Sequence, residues 1–173
     1  RPELARRVAN RYEVPAVYES HEQMLETEDL NGIVASQPYN RHGVLVPDLA
    51  EAGVPIFTEK PLAGSVEVGQ RVLEAVQTAG IAHMVGYHKL SDPATERAIR
   101  EIERLKRSGE LGNLRYVRIL MPAGDWVAGG FNGLIQTEED VPDLDMDPPP
   151  SDMDEATRAE YDAFVNYYIH QVN

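Results

Sequence analysis

Thr58-Glu59-Lys60-Pro61-Leu62-Ala63 is the stretch on which the fold reading turns. A short apolar run, residues 54–57, precedes it, and a strongly periodic helical stretch starts near Ser65. A strand that closes on an acid, a lysine and a proline sets a cation at the strand's C-terminal edge. In open α/β sheets, ligands bind at that edge. Pro61 lacks a backbone donor and fixes its own φ, so the strand must stop there. Lys-Pro is also one of the few bonds able to be cis at modest cost. Taken alone, the stretch reads equally well as a helix start with exposed charges. Its neighbours decide.

Upstream, Leu4, Val8 and Tyr12 recur at helical spacing over residues 1–12, with Pro2 suited to the first turn. Residues 14–18 form a short β-prone run. Ser20, with Gln23 three residues on, makes a capping box for a helix through about Glu26. Asn31-Gly32 breaks the chain. Ile33-Val34-Ala35 is a wholly apolar strand, as expected of a parallel sheet buried on both faces. The polar loop Ser36-Gln37-Pro38-Tyr39-Asn40-Arg41-His42 follows it. A helix over residues 42–52 comes next, with Gly53 placed as its left-handed cap.

Beyond the opening stretch, Val66, Val68, Val72, Leu73 and Val76 form the apolar face of another helix, closed by Gly80. Residues 81–85 read as a further strand, leading into Gly86-Tyr87-His88-Lys89. Helices thus alternate with four strands, which predicts a parallel sheet with covering helices and right-handed crossovers. The polar loops at residues 36–42, 58–61 and 87–91 then share one rim, and a small ligand binds there.

The second half changes character. Asp92 and Pro93 open a long helix through about Ser108, with Ile99, Ile102 and Leu105 as its buried face and Gly109 at its end. Residues 114–121 alternate, Leu114, Tyr116 and Leu120 with Arg115 and Arg118. Period two with polar partners predicts an antiparallel strand open on one face. A second domain therefore starts near Pro93, dividing the chain into residues 1–92 and 93–173. Residues 122–150 are irregular and acidic, with Asp125-Trp126 and then Asp143, Asp145 and Asp147. That spacing resembles the start of a calcium loop, but prolines stand where a glycine and a later glutamate belong. A solvated acidic loop is the plainer reading. Residues 154–170 read as a last helix, with Ala156, Tyr161, Phe164, Val165 and Tyr168 inward.

Composition narrows the function classes. The chain has 173 residues and a formal net charge of -13 with no balancing basic face, which argues against nucleic acid as a partner. There is no cysteine, so disulfides, thiolate metal sites and a cysteine nucleophile are excluded. No apolar run approaches the length of a membrane span and no signal peptide is visible. These features fit a reducing compartment, and the expected location is cytoplasmic. The first residue is Arg1 and the last pattern stops at Asn173, so the chain reads as a fragment truncated at both ends.

The order of the motifs resembles that of a known family. A short strand leads to Ser36-Gln37-Pro38 and His42; Glu59-Lys60-Pro61-Leu62-Ala63 follows one helix later. Gly86-Tyr87-His88-Lys89, Asp92-Pro93-Ala94 and a helix ending in Gly109-Glu110-Leu111-Gly112 complete the series. The series resembles the Gfo/Idh/MocA oxidoreductases over about residues 2–121, and more weakly over 161–173. The resemblance implies a partial Rossmann parallel sheet followed by the start of an α+β domain with an open, mainly antiparallel sheet. It implies NAD or NADP as cofactor, a secondary alcohol of a sugar or cyclitol as substrate, and a homo-oligomer in the full-length protein.

It also implies roles by position. Lys60 and His170 match the catalytic lysine and the acid/base histidine. Ser36, Gln37, Pro38, His42, Glu59, Lys60, Pro61 and His88 match the cofactor-binding positions. Lys89 and Asn166 fall at the substrate, and Trp126, read from its place in the irregular loop rather than from the resemblance, is a further candidate for lining a sugar site. The residue types suit the chemistry. Oxidising an alcohol moves a hydride to nicotinamide and a proton to a base, and histidine is suited to the base role near neutral pH. A lysine ammonium stabilises negative charge developing on the oxygen. Asn166 stands where many members carry an aspartate, and asparagine cannot accept a proton as a carboxylate does. That substitution keeps open a second reading, a non-catalytic sugar- or nucleotide-binding relative. The Gly-x-Gly-x-x-Gly turn that would seat the pyrophosphate is not in this chain.

Overall fold

The computed structural model describes residues 1–118 and 135–165. Its centre is a three-stranded parallel sheet of β1 (Ile33–Ala35), β2 (Ile56–Thr58) and β3 (His83–Val85), in that spatial order. The register sets Ile33 beside Ile56 and Ile56 beside His83. It ends with Ala35, Thr58 and Val85 side by side. The crossovers carry α3 (His42–Ala50) and α4 (Val66–Ala79), as the alternating pattern predicts. The chain also forms α1 (Pro2–Tyr12), α2 (His21–Thr27), α5 (Pro93–Ser108) and α6 (Glu155–Ala163).

Side chains alternate across a strand, and here the alternation decides the core. Ile33, Ala35 and Ile56 turn inward onto Leu45, Val46, Leu49, Val72 and Val76 of α3 and α4. Val34, Phe57 and Met84 turn the other way and are 74, 36 and 65% exposed. The expectation of burial on both faces is therefore corrected. Among the described residues, α3 and α4 cover one face and the other is open.

Residues 14–18 are also corrected, because they form no strand. A strand must bond to a neighbour to satisfy its backbone, and among the described residues β1 pairs only with β2. The apolar stripe of α5 is a stripe but not a buried one. Ile99 and Ile102 are 44 and 56% exposed, and no residue of this helix is buried. Residues 114–118 form no strand, and Leu114 and Tyr116 stand out into solvent. The remainder of that expected strand lies outside the described residues. In α6 and its extension, Val165 is buried and Tyr161 half-buried, whereas Ala156 and Phe164 are exposed.

Local caps account for several helix starts. The Ser65 hydroxyl accepts from the Val68 N–H (3.2 Å), and the Asp92 carboxylate accepts from the Ala94 N–H (2.8 Å). Ser20 accepts from Gln23 N–H as a capping box requires, but the Gln23 side chain takes the Glu19 N–H, one residue early. Helices α1 and α3 have no side-chain cap of their own at Arg1 and Arg41. Their free N–H groups are met from far along the chain. The Glu139 carboxylate accepts from the Glu3 and Leu4 N–H groups at 3.0 and 2.7 Å. These bonds hold its carboxyl below the usual carboxylate range. Asp147 does the same for Gly43 at the start of α3 (3.1 Å). No described helix is long and apolar enough to cross a membrane.

The α3–α4 layer carries the core, so truncating it removes packing that nothing else supplies. Leu49 is 2% exposed. In the full-length protein, Leu49→Ala is expected to lower the unfolding free energy by about 2–5 kcal/mol, read from denaturant titration.

Candidate functional site

Level strand ends bring three loops to one edge of the sheet. Residues 36–41 leave β1, residues 59–62 leave β2, and residues 86–89 leave β3. The three polar loops therefore meet at one rim, as the strand order requires.

The middle loop is built on buried supports. Thr58, fully buried at the end of β2, shares a hydrogen bond with His83 Nε2 (3.0 Å). Pro61 is buried and the Lys60-Pro61 bond is cis. Between them Glu59 is exposed, Lys60 is half-buried, and the Lys60 N–H donates to the Glu59 carboxylate (3.2 Å). The ammonium-bearing residue is thus held between two anchored neighbours. β3 is drawn against this turn by the Gly86 N–H, which donates to the Thr58 carbonyl (2.8 Å). A Cβ at Gly86 would stand 3.0 Å from the Phe57 ring and 3.3 Å from the Thr58 oxygen, so glycine permits the close approach.

The flanking loops are more open. Ser36, Gln37 and Pro38 are exposed, and Gln37 accepts from the Arg41 guanidinium (3.2 Å). His88 and Lys89 lie exposed in a short 3-10 turn, His88–Ser91. His42 differs from all of these. Its ring is wholly buried, and its Nδ1 lies 2.9 Å from the Leu62 carbonyl. The cofactor-contact role that the resemblance implies for His42 does not suit a ring with no exposed surface. Trp126, Asn166 and His170 lie outside the described residues.

Sequence reasoning missed the part that residues 139–165 play at this rim. The Asp145 carbonyl accepts from Arg41 Nε (2.8 Å), and the Asp147 N–H donates to the Asn40 carbonyl (2.6 Å). Glu67 accepts from the Ser151 N–H (3.0 Å). Tyr161 and Val165 pack on Tyr39. Burial, and then the charge of Asp147, push the Tyr161 phenol up. The acidic stretch is therefore partly a clasp on the loop after β1. The one available signal was the lack of a capping residue before His42-Gly43. Among the described residues, no three His, Asp or Glu side chains group as metal ligands.

A separate groove lined by His21, Glu22, Glu26, Asp48 and Glu51 lies at the opposite ends of the strands. Its carboxylates would repel phosphates. The rim sets the Ser36 hydroxyl, the Gln37 amide and Lys60 beside the Glu59 carboxylate. No pyrophosphate-seating glycine turn is present in the chain.

Comparison with known proteins agrees with this geometry. Residues 1–87 match the family described as "Oxidoreductase family, NAD-binding Rossmann fold" (GFO_IDH_MocA). Scyllo-inositol 2-dehydrogenase (NAD(+)) of Bacillus subtilis is 31% identical over 114 residues, 66% of this chain and 32% of that protein. The rhizopine catabolism protein MocA of Rhizobium meliloti is 29% identical over 126 residues, 68% of this chain and 38% of that protein. A solved levoglucosan dehydrogenase, in complex with NADH and levoglucosan, superposes with a TM-score of 0.54 at 27% identity. That superposition covers 65% of this chain and 30% of the other. The chain spans about a third of the length of the curated relatives it matches (32 and 38%).

Two outcomes follow for stability. Asp147→Ala strips the carboxylate acceptor from the start of α3 and is expected to cost about 1 kcal/mol by denaturant unfolding. Asp147→Asn keeps an oxygen acceptor and is expected to recover part of that loss. Burial, and then the neighbouring His42, push the His83 imidazole below its ordinary value of 6.5. The unfolded chain then takes up the proton first as pH falls. Stability is therefore full above pH 6.5 and declines below it. His83→Gln is expected to flatten that slope in unfolding titrations run across the window.

Proposed function

The chain belongs to the Gfo/Idh/MocA oxidoreductase family, and we propose that it forms part of an NAD(P)-dependent dehydrogenase acting on a secondary alcohol of a sugar or cyclitol. The observation that carries this reading is the rim itself. Three loops rise from level strand ends, with a half-buried lysine in the middle one. The relatives named above support the substrate class: one is an inositol dehydrogenase and one is solved with NADH and an anhydrosugar.

In this reading Ser36, Gln37, Pro38, Glu59, Lys60, Pro61 and His88 line the nicotinamide end of the cofactor. NAD or NADP, when bound, supplies the hydride acceptor. The Lys60 ammonium lies beside the reacting hydroxyl and stabilises the charge that grows on its oxygen. His170 takes the hydroxyl proton, a role that suits the histidine side chain near neutral pH. Lys89, Asn166 and Trp126 contact the sugar ring. Residues 1–92 serve the cofactor and residues 93–173 begin the substrate domain. A cytoplasmic location accords with the lack of cysteine, and association through an open antiparallel sheet is the family expectation. Asn166, which cannot share a proton with His170 as an aspartate would, favours one other reading: a relative that binds the same ligands without turnover.

In the full-length protein, Lys60→Ala is expected to lower kcat by about 100-fold or more, with a smaller change in KM for the dinucleotide. Unchanged turnover in that variant contradicts the proposal.

A further inference from the structure

We propose that His42 is a positioning residue: its buried imidazole ties the start of α3 to the Leu62 carbonyl and so holds the turn that carries Lys60. The proposal rests on the dehydrogenase reading for its kinetic consequence, and on geometry alone for the tether.

The geometry excludes the two other roles open to this histidine. A ring with 0% exposure cannot lie against a dinucleotide without leaving its place. A helix cap must accept a hydrogen bond from the first turn's N–H groups. His42 Nδ1 faces a carbonyl oxygen, which only accepts, so Nδ1 carries the proton and donates. The start of α3 is served by Asp147 instead, at the Gly43 N–H.

The tether is well placed to act on Lys60. It joins residues 20 positions apart, bridging the helix after β1 and the loop after β2. Leu62 lies two residues beyond Lys60, and the residue between them is Pro61. Proline fixes its own φ, and this one is buried. A hold on the Leu62 carbonyl is thus passed back through a stiff link to the lysine. Leu62 itself packs on the α3–α4 core.

Among the described residues His42 Nε2 is buried with no hydrogen-bond partner, so the Nδ1 bond to Leu62 is the ring's one polar tie.

The test compares His42→Leu and His42→Asn in the full-length protein. Leucine fills space without a donor; the asparagine amide can reach the position of Nδ1. Hydrogen–deuterium exchange over residues 56–64 reads the turn, and steady-state kinetics reads its consequence. His42→Leu is expected to speed exchange in that segment and to lower kcat by about 10- to 100-fold, with dinucleotide affinity within about 3-fold. His42→Asn is expected to restore most of both. Equal losses in the two variants, or unchanged exchange in His42→Leu, overturn the tether. If the wild-type protein reduces no nicotinamide with any polyol, the dehydrogenase reading fails while the exchange comparison still decides the tether. If His42→Leu does not fold, nitrogen NMR of labelled histidine in the wild-type protein decides: an Nδ1-protonated neutral ring supports the tether, and an Nε2-protonated ring overturns it.

Discussion

Three parallel strands that end level with one another are the constraint behind the rest of the molecule. The pairing of Ala35 with Thr58, and of Thr58 with Val85, brings three chain segments out at one edge. A parallel sheet needs a crossover between each pair of strands, and α3 and α4 supply these on a single face. One register therefore sets two things: the packing of Val46, Leu49 and Val72 against the sheet, and the meeting of three polar loops at the rim.

Below that rim runs a second layer of polar support. Thr58 with His83, and His42 with Leu62, are bonded pairs under the Glu59-Lys60-Pro61 turn. Buried polar groups of this kind are costly unless bonded, and once bonded they specify one arrangement. The clasp from residues 139–165 acts from outside. It meets the N-termini of α1 and α3 with carboxylates that lie 136 and 104 residues away in sequence. A carboxylate is favoured there by the helix dipole and by the free N–H groups. Acidic residues whose plainest sequence reading is solvation are thus partly structural.

Much of this was legible in the residues, for identifiable reasons. The period of Val68, Val72 and Val76, the Ser65 cap and the terminal Gly80 carry α4, because each is a local signal, although Val66 and Leu73 of the same apolar run are 78 and 50% exposed. β1 follows Gly32 and β2 ends ahead of Pro61, as read, but β2 and β3 begin at Ile56 and His83, two residues later than the apolar runs from Val54 and Ile81 suggest. What failed was long-range. Residues 14–18 have strand-like side chains but, among the described residues, no neighbouring strand to pair with. Ile99 and Ile102 have helical spacing, yet a spacing says nothing of what covers it. In the site, Lys60 and its flanking loops followed from strand order. The burial of His42 did not, because Ser-Gln-Pro-x-x-x-His reads the same whether the ring faces a ligand or Leu62. Asp147 could not be paired with Gly43 by any local rule.

The central claim is that this rim is the nicotinamide end of a hydride-transfer site for polyols. Incubating the full-length protein with NAD or NADP and a panel of cyclitols and sugars, while following the absorbance of reduced nicotinamide, tests it most directly. A time-dependent rise with at least one cyclitol or sugar is the predicted result. No reduced nicotinamide with any of them, from a protein that demonstrably binds the dinucleotide, would contradict it.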